Sequence, residues 1–290
     1  MIKPTLEALS NNDKNTFLAR LFEQHEFESP YHFHPEYELT AIIKGEGNRF
    51  VGNNMSAYQQ GDLVLIGGNV PHCWKTSLHN EEINAKSVVI QFNLDFLGTN
   101  FFESQSAWKV VQLLKKSFHG IHFTGKGTTA IINLMMAVVK AEDPFKKLIL
   151  VLEILDRLTN HSSYQYLNAE PVIYSPQGIE HQRLKLVQSF IIDNFRNKIT
   201  LDEVAEIGSM TKNAFCKFYK KVTGKTLTET ITYYRLQYAM QQLISTDKNA
   251  TQISFDSGFS DVASFHKIFK LNTGRSPLGY RKHHLEIISS

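Results

Sequence analysis

At 290 residues the chain is long enough for two domains, each with a core of its own. Its 42% apolar and 20% charged residues exclude a disordered or fibrous chain, and no apolar run approaches the roughly 18 residues of a membrane span. The net charge of +3 is unevenly shared: residues 181–290 carry 16 Lys/Arg against 9 Asp/Glu, beside an acidic remainder, as expected of a nucleic-acid-binding domain joined to a non-binding one.

The first residues, MIKPTLEALSNNDKN, contain no apolar signal-peptide core, which predicts a cytoplasmic protein. Cys73 and Cys216 fall in different predicted domains, so free thiols rather than a disulfide are expected. Residues 31–92 then alternate short β-branched runs with turn signals: ELTAIIK, NRFV, GDLVLIGGNVPH and KSVVIQF. Strands at this spacing predict a small antiparallel barrel or jelly roll.

Within these strands HFHPEYELTAIIKG supplies His32, His34 and Glu38, and GDLVLIGGNVPH adds His72. His32, His34 and Glu38 share parity, so a regular strand would project them from one face. Imidazoles beside a carboxylate suit Fe, Mn, Ni, Cu or Zn, and they equally suit a polar organic ligand without metal. Trp74, Tyr31 and Phe33 lie close by in sequence and could stack on a ligand or fill the core.

Downstream, residues 106–118, 128–141 and 145–159 have helical length and period. Leu134, Met135, Val138 and Val139, with Ile149, Leu152 and Leu155, offer more apolar surface than one barrel face needs. They either pack within the domain or form a dimer contact. Prolines, a glycine and Ser/Asn residues then interrupt the pattern over 161–182. The expected division is a first domain at 1–162, a linker at 163–179 and a second domain at 180–290, opened by the helix RLKLVQSFIIDNF.

The second domain contains one plan twice. In SMTKNAFCKFYKKVTG and GFSDVASFHKIFK, Phe215 matches Phe265, Lys217 matches Lys267, Tyr219 matches Phe269 and Lys220 matches Lys270, each pair 50 residues apart. Each copy follows a short helix and a tight turn, and the offset upstream is 49, so the second turn holds one extra residue. Thr211 is the expected cap of the first copy and Ser260 or Asp261 that of the second, with Gly258 where the turn needs positive φ. At 100° per residue the aromatic groups anchor each helix and a basic face stays free. A helix, a turn and a second helix with a basic face form the helix-turn-helix arrangement, whose second helix enters the major groove.

Residues 181–283 resemble the DNA-binding domain of the AraC/XylS transcriptional regulators, most specifically in GFSDVASFHKIFK and the following TGRSPLGYRK, and also in Arg235 and Ala239 of the connecting helix. Ser254 departs from the family's usual Ala, and Val262–Ala263 replace a pair that is commonly polar. The resemblance implies double-stranded DNA as partner. Asn213, Cys216, Lys217, His266 and Lys267 are then the candidates for base edges, Lys220 and Lys270 for phosphates, and Val262 and Ala263 for thymine methyls or register. The pattern His-x-His-x3-Glu-x6-Gly, then Gly61 and Pro71-His72, resembles the two cupin motifs, although Gly67 and Asn69 depart from the second.

These resemblances imply an α+β, two-domain protein: an N-terminal cupin-like β-barrel with a helical hairpin and an all-α C-terminal domain with two helix-turn-helix motifs. They imply a regulator, more often an activator acting with RNA polymerase, that dimerises and answers to a small-molecule effector such as a sugar. His32, His34, Glu38, His72 and Trp74 would hold that effector. No cofactor is expected, though the first four would be the ligand set if the barrel held a divalent metal. The competing readings are a metal-dependent cupin dioxygenase or isomerase with an accessory DNA-binding module, and an architectural DNA-binding protein. Paired helix-turn-helix motifs argue against the first and the pocket signature against the second.

Overall fold

The computed structural model describes residues 17–27, 29–76, 85–98, 100–172 and 179–289. The stretch MIKPTLEALSNNDKN lies outside them. The chain divides into two compact units, Met1–His181 and Gln182–Ser290. Among the described residues no helix is long and apolar enough to cross a membrane.

In the first unit, strands β1 (Phe17–Gln24), β2 (Tyr37–Lys44), β5 (Leu63–Ile66), β7 (Ala85–Phe92), β8 (Ile121–Phe123) and β9 (Tyr164–Tyr166) form one antiparallel sheet in the order β1-β7-β2-β5-β8-β9. Strands β3 (Gly47–Val51), β4 (Asn54–Tyr58) and β6 (His72–Thr76) form a second, in the order β4-β3-β6. The strand parity explains why the apolar runs are nearly continuous. Leu39 and Ala41 of β2, Leu63 and Leu65 of β5, and Val88, Ile90 and Phe92 of β7 face one core. Helices α1 (Trp108–Lys116), α2 (Thr128–Lys140) and α3 (Pro144–Thr159) cover that core, giving it Ile131, Met135, Val138, Ile154 and Leu155. The alternate residues, among them Ile42, Val64, Ile66 and Trp74, fill the space between the two sheets. Both faces are buried, so alternation is blurred wherever both sets are apolar.

The expected strands and the three expected helices are present, but β1, β4, β6, β8 and β9 were not anticipated. Strand β9 falls in the stretch expected to be linker. Tyr164, Gln165 and Tyr166 pair with β8. Farther on, the Asn168 side chain donates to Val51 O at 3.0 Å and Val172 N donates to Phe118 O at 2.8 Å. Residues up to 172 therefore belong to the barrel, and 173–178 lie outside the described residues.

In the second unit, α4 (Ile179–Asn194) leads into α5 (Leu201–Ile207) and α6 (Lys212–Thr223). The long α7 (Leu227–Ser245) connects these to α8 (Ala250–Asp256), α9 (Val262–Thr273) and α10 (Pro277–Ser289). The repeat extends below the surface. Arg235 donates from Nε to Phe195 O at 2.6 Å, and Arg281 donates from Nε to Leu243 O at 2.8 Å, each closing the end of an earlier helix. Thr223 and Thr273 each donate back one turn, to Tyr219 O and Phe269 O.

The turns differ as the sequence predicts. Residues 208–211 join α5 to α6, and the one-residue-longer 257–261 joins α8 to α9. Gly258 has φ +89°, and a Cβ there would meet Arg196 O at 2.5 Å, so both conformation and space demand glycine. The first turn places Ser209 in the left-handed region instead, at φ 51°. Thr211 accepts from Ala214 N at 3.3 Å, capping α6. Thr211→Ala is expected to cost about 1 kcal/mol, read as a lower midpoint in helical circular dichroism of the second unit.

Candidate functional site

The two recognition-type helices share one anchoring scheme. Phe215, Phe218 and Tyr219 are buried under α6, as are Phe265 and Phe269 under α9. Asp261 caps α9 by accepting from the Ala263 and Ser264 N–H groups; the expected alternative, Ser260, does not. Asn213, Cys216, Lys217 and Lys220 are exposed on α6; Ala263, Lys267 and Lys270 are exposed on α9. Val262 and His266 are half-buried, and the His266 ring lies 5.6 Å from that of Phe265. Cys73 is buried and Cys216 exposed, and neither is in a disulfide among the described residues.

In the barrel, the polar residues alternate with the core residues along two adjacent strands. Glu38 and Thr40 of β2, with Ser87 and Gln91 of β7, line a cavity of about 90 Å³. Phe22, Phe27, Ile42, Val89 and Trp74 supply its apolar walls, and His32 lies at one side. Donor atoms of His32, His34, Glu38 and His72 all lie within 4.8 Å of one another. This convergence does not arise as strand parity suggests. Of the three residues that share parity, His32, His34 and Glu38, only Glu38 sits on a strand, because β2 begins at Tyr37. The segment before it is held instead by backbone bonds between His32 and His72, N to O at 3.1 and 2.8 Å in the two directions. Tyr31 takes no part: its hydroxyl donates to Gly52 O at 2.7 Å.

The hydrogen bonds fix each ring. His32 Nδ1 lies 2.8 Å from Pro30 O and His72 Nδ1 2.8 Å from Val70 O, so each Nδ1 carries the hydrogen. Carbonyl-held imidazoles of this kind are the usual outer-shell arrangement of metal-ligating histidines. Burial and the neighbouring His72 push His32 down to about 3. His34 differs, because its Nδ1 faces Glu36 at 3.3 Å and its Nε2 faces Glu38 at 3.0 Å. Burial opposes a charge on His34, but hydrogen bonds to Glu36 and Glu38 outweigh it and push the ring up to about 10. Glu38 is fully buried, yet His72 and His34 hold it well below the usual carboxylate range. It also accepts from Thr40 Oγ1 at 2.7 Å and from Gln91 Nε2 at 2.9 Å.

Glu36, Thr40, Ser87 and Gln91 escape the motif-based reading. Glu36 shares even numbering with His34 and Glu38 in HPEYE, and Ser87 and Gln91 interrupt the apolar run KSVVIQF at same-face spacing. That spacing was the available signal.

A helix-turn-helix domain family matches residues 204–283, and a cupin domain family matches residues 20–83. The uncharacterised HTH-type transcriptional regulator YdeC of Bacillus subtilis (strain 168) is 22% identical over 256 residues, covering 87% of this chain and 86% of that protein. An uncharacterised HTH-type transcriptional regulator of Staphylococcus aureus (strain MSSA476) is 23% identical over 252 residues, 83% of this chain. The match spans only 30% of that relative's own length. Among solved structures, a protein of unknown function from Listeria innocua is 30% identical, with 34% of this chain and 94% of that chain covered and a TM-score of 0.32. The chain thus carries a cupin domain ahead of a helix-turn-helix domain, and over most of its length it is similar to HTH-type transcriptional regulators.

Proposed function

We propose that the chain is a cytoplasmic, sequence-specific transcriptional regulator whose DNA binding is controlled by a small organic effector held in the barrel. The observation that carries this reading is the duplicated helix with buried aromatic anchors and an exposed basic face. Two such helices can enter successive major grooves about one turn (~34 Å) apart. Asn213, Cys216, Lys217, His266 and Lys267 meet base edges, with Val262 and Ala263 beside them, while Lys220 and Lys270 meet phosphates. The effector acts through unequal affinity for two states of the protein. Activation, with RNA polymerase as partner, follows the family resemblance.

A homodimer is part of the proposal. Phe145 and Ile149 of α3 remain 70% and 43% exposed, although Met135, Val138 and Leu155 are consumed by the domain's own core. A sugar was the expected effector; the pocket offers about 90 Å³, less than the ~150 Å³ cavity that takes a benzene, but it opens to the outside, so a larger ligand would sit only partly within it.

Selection of binding sites from random duplex DNA by the purified full chain tests the regulator. The expected result is a motif with two parts about one helical turn apart. Residues 178–290 alone should select the same motif with lower affinity, because dimer avidity is lost. Absence of any enriched motif counts against the proposal.

The second reading is the metal-dependent cupin enzyme, and one observation favours it: the four donor groups within 4.8 Å, with His32 and His72 held at Nδ1 by carbonyls. His32, His34, Glu38 and His72 would hold the ion, which would supply Lewis-acid or redox chemistry when bound. Elemental analysis with a measured turnover decides for it.

A further inference from the structure

We infer that the two recognition-type helices read different bases at their corresponding positions: α6 an adenine, through Asn213, and α9 a thymine, whose methyl group packs on Ala263 and Val262. This inference rests on the reading of the chain as a DNA-binding regulator and names what each helix recognises. The 50-residue offset makes the two copies a built-in comparison. Lys217 and Lys267 correspond, and each is exposed on the face of its helix that also carries Asn213 or Ala263, one turn earlier. The buried anchors correspond too, Phe215 with Phe265 and Tyr219 with Phe269. What changes is the first turn, where Lys212 and Asn213 of α6 become Val262 and Ala263 of α9. Since α6 forms on the same anchors with polar residues there, packing does not require the apolar pair. Ala263 is exposed and Val262 half-buried, so both present methyl groups at the helix surface.

Base edges in the major groove supply the matching partners. An Asn side chain donates to N7 of adenine and accepts from its N6 amino group, whereas Val and Ala can do neither and instead cover the C5 methyl that thymine alone carries. Charge differs between the two helices in the same sense. Helix α6 starts at the neutral Thr211 and carries Lys212, Lys217, Lys220 and Lys221; Lys212 also pairs with Asp202 at 2.6 Å. Helix α9 carries only Lys267 and Lys270, has Leu271 in the place of Lys221, and starts at the Asp261 carboxylate. That carboxylate engages the Ala263 and Ser264 N–H groups at 3.2 and 2.7 Å, donors that could otherwise meet a phosphate. Its own charge repels phosphates as well. Helix α9 therefore gains less from phosphate attraction and more from apolar contact, and thymine methyls are the apolar groups that the groove offers.

The test uses the full chain and the duplex it selects from random DNA. Each thymine of that duplex is replaced singly by deoxyuridine, which removes the methyl and keeps every hydrogen-bonding group. The expected result is a loss of about fourfold in affinity at one or two thymines, all in the same half of the two-part motif. Ala263→Asn should abolish that loss and, in a fresh selection, replace thymine by adenine at the same position. Asn213→Ala should make the opposite change in the other half, where adenine gives way. The deoxyuridine scan uses the unaltered protein, so it stands even if a variant fails to fold. Insensitivity to every methyl, equal losses in both halves, or a loss that Ala263→Asn leaves in place overturns the inference. Each of these results, obtained on a selected two-part motif, leaves the regulator reading intact. Failure to select any motif overturns both.

Discussion

His34→Ala is expected to cost the first unit about 3–5 kcal/mol at neutral pH, because it strands two buried carboxylates without their shared cation. Glu36 and Glu38 are 6% and 4% exposed, so water does little to replace the imidazolium. The loss also has a pH signature in the parent protein. His34 is raised from 6.5 to about 10, so its contribution to stability is complete below about 6.5 and is lost as pH rises through about 10. Glu38 has the opposite sign: its lowered value means a contribution present above the ordinary 4.5 and lost as pH falls through its folded value. The parent barrel should therefore lose stability between about pH 7 and pH 10, and the variant should lack that slope. Both tryptophans, Trp74 and Trp108, belong to the first unit, so urea unfolding followed by fluorescence at several pH values reads this directly. An unchanged midpoint at neutral pH would mean that His34 is not the counter-ion.

The second large effect lies in the other unit. Lys217→Ala and Lys267→Ala should each weaken binding to a selected site by about 1–3 kcal/mol, roughly tenfold to a hundredfold, and should relax the preference for one base. Both side chains are exposed, each two residues beyond a buried phenylalanine that fixes its helix, Phe215 or Phe265. Lys220→Ala serves as the internal comparison. As a phosphate contact it should weaken all duplexes alike and flatten the dependence on salt. If all three variants lose affinity equally and without regard to sequence, the division into base-reading and phosphate-contacting residues is wrong.

The helix-turn-helix pair was legible because its determinants are local. Thr211 and Asp261 cap helices three residues away, Gly258 answers a backbone need at its own position, and Phe265 with Phe269 are neighbours on a single helix turn. A duplicated local pattern needs no knowledge of what lies across the fold, so a 50-residue offset in the sequence reappears as the same arrangement of helices.

The barrel shows what such reasoning misses. Strand β1 mixes Arg20, Glu23 and Gln24 with apolar residues and gains its identity from an eight-residue pairing with β7, far away in the chain. Strand β9 is three residues long, too short to show a period, and exists because β8 offers it a partner. In the pocket, the sequence by itself determined which chemistry is present: three imidazoles and a carboxylate in a motif, with a strand parity that puts Glu38 on an inner face. Only the tertiary structure decided how they meet. A backbone bridge between His32 and His72, not a common strand, brings the rings together, and Gln91 reaches Glu38 from a strand 53 residues away. The physical reason is that hydrogen-bond register sets cross-strand neighbours, and register depends on the whole sheet rather than on any one segment.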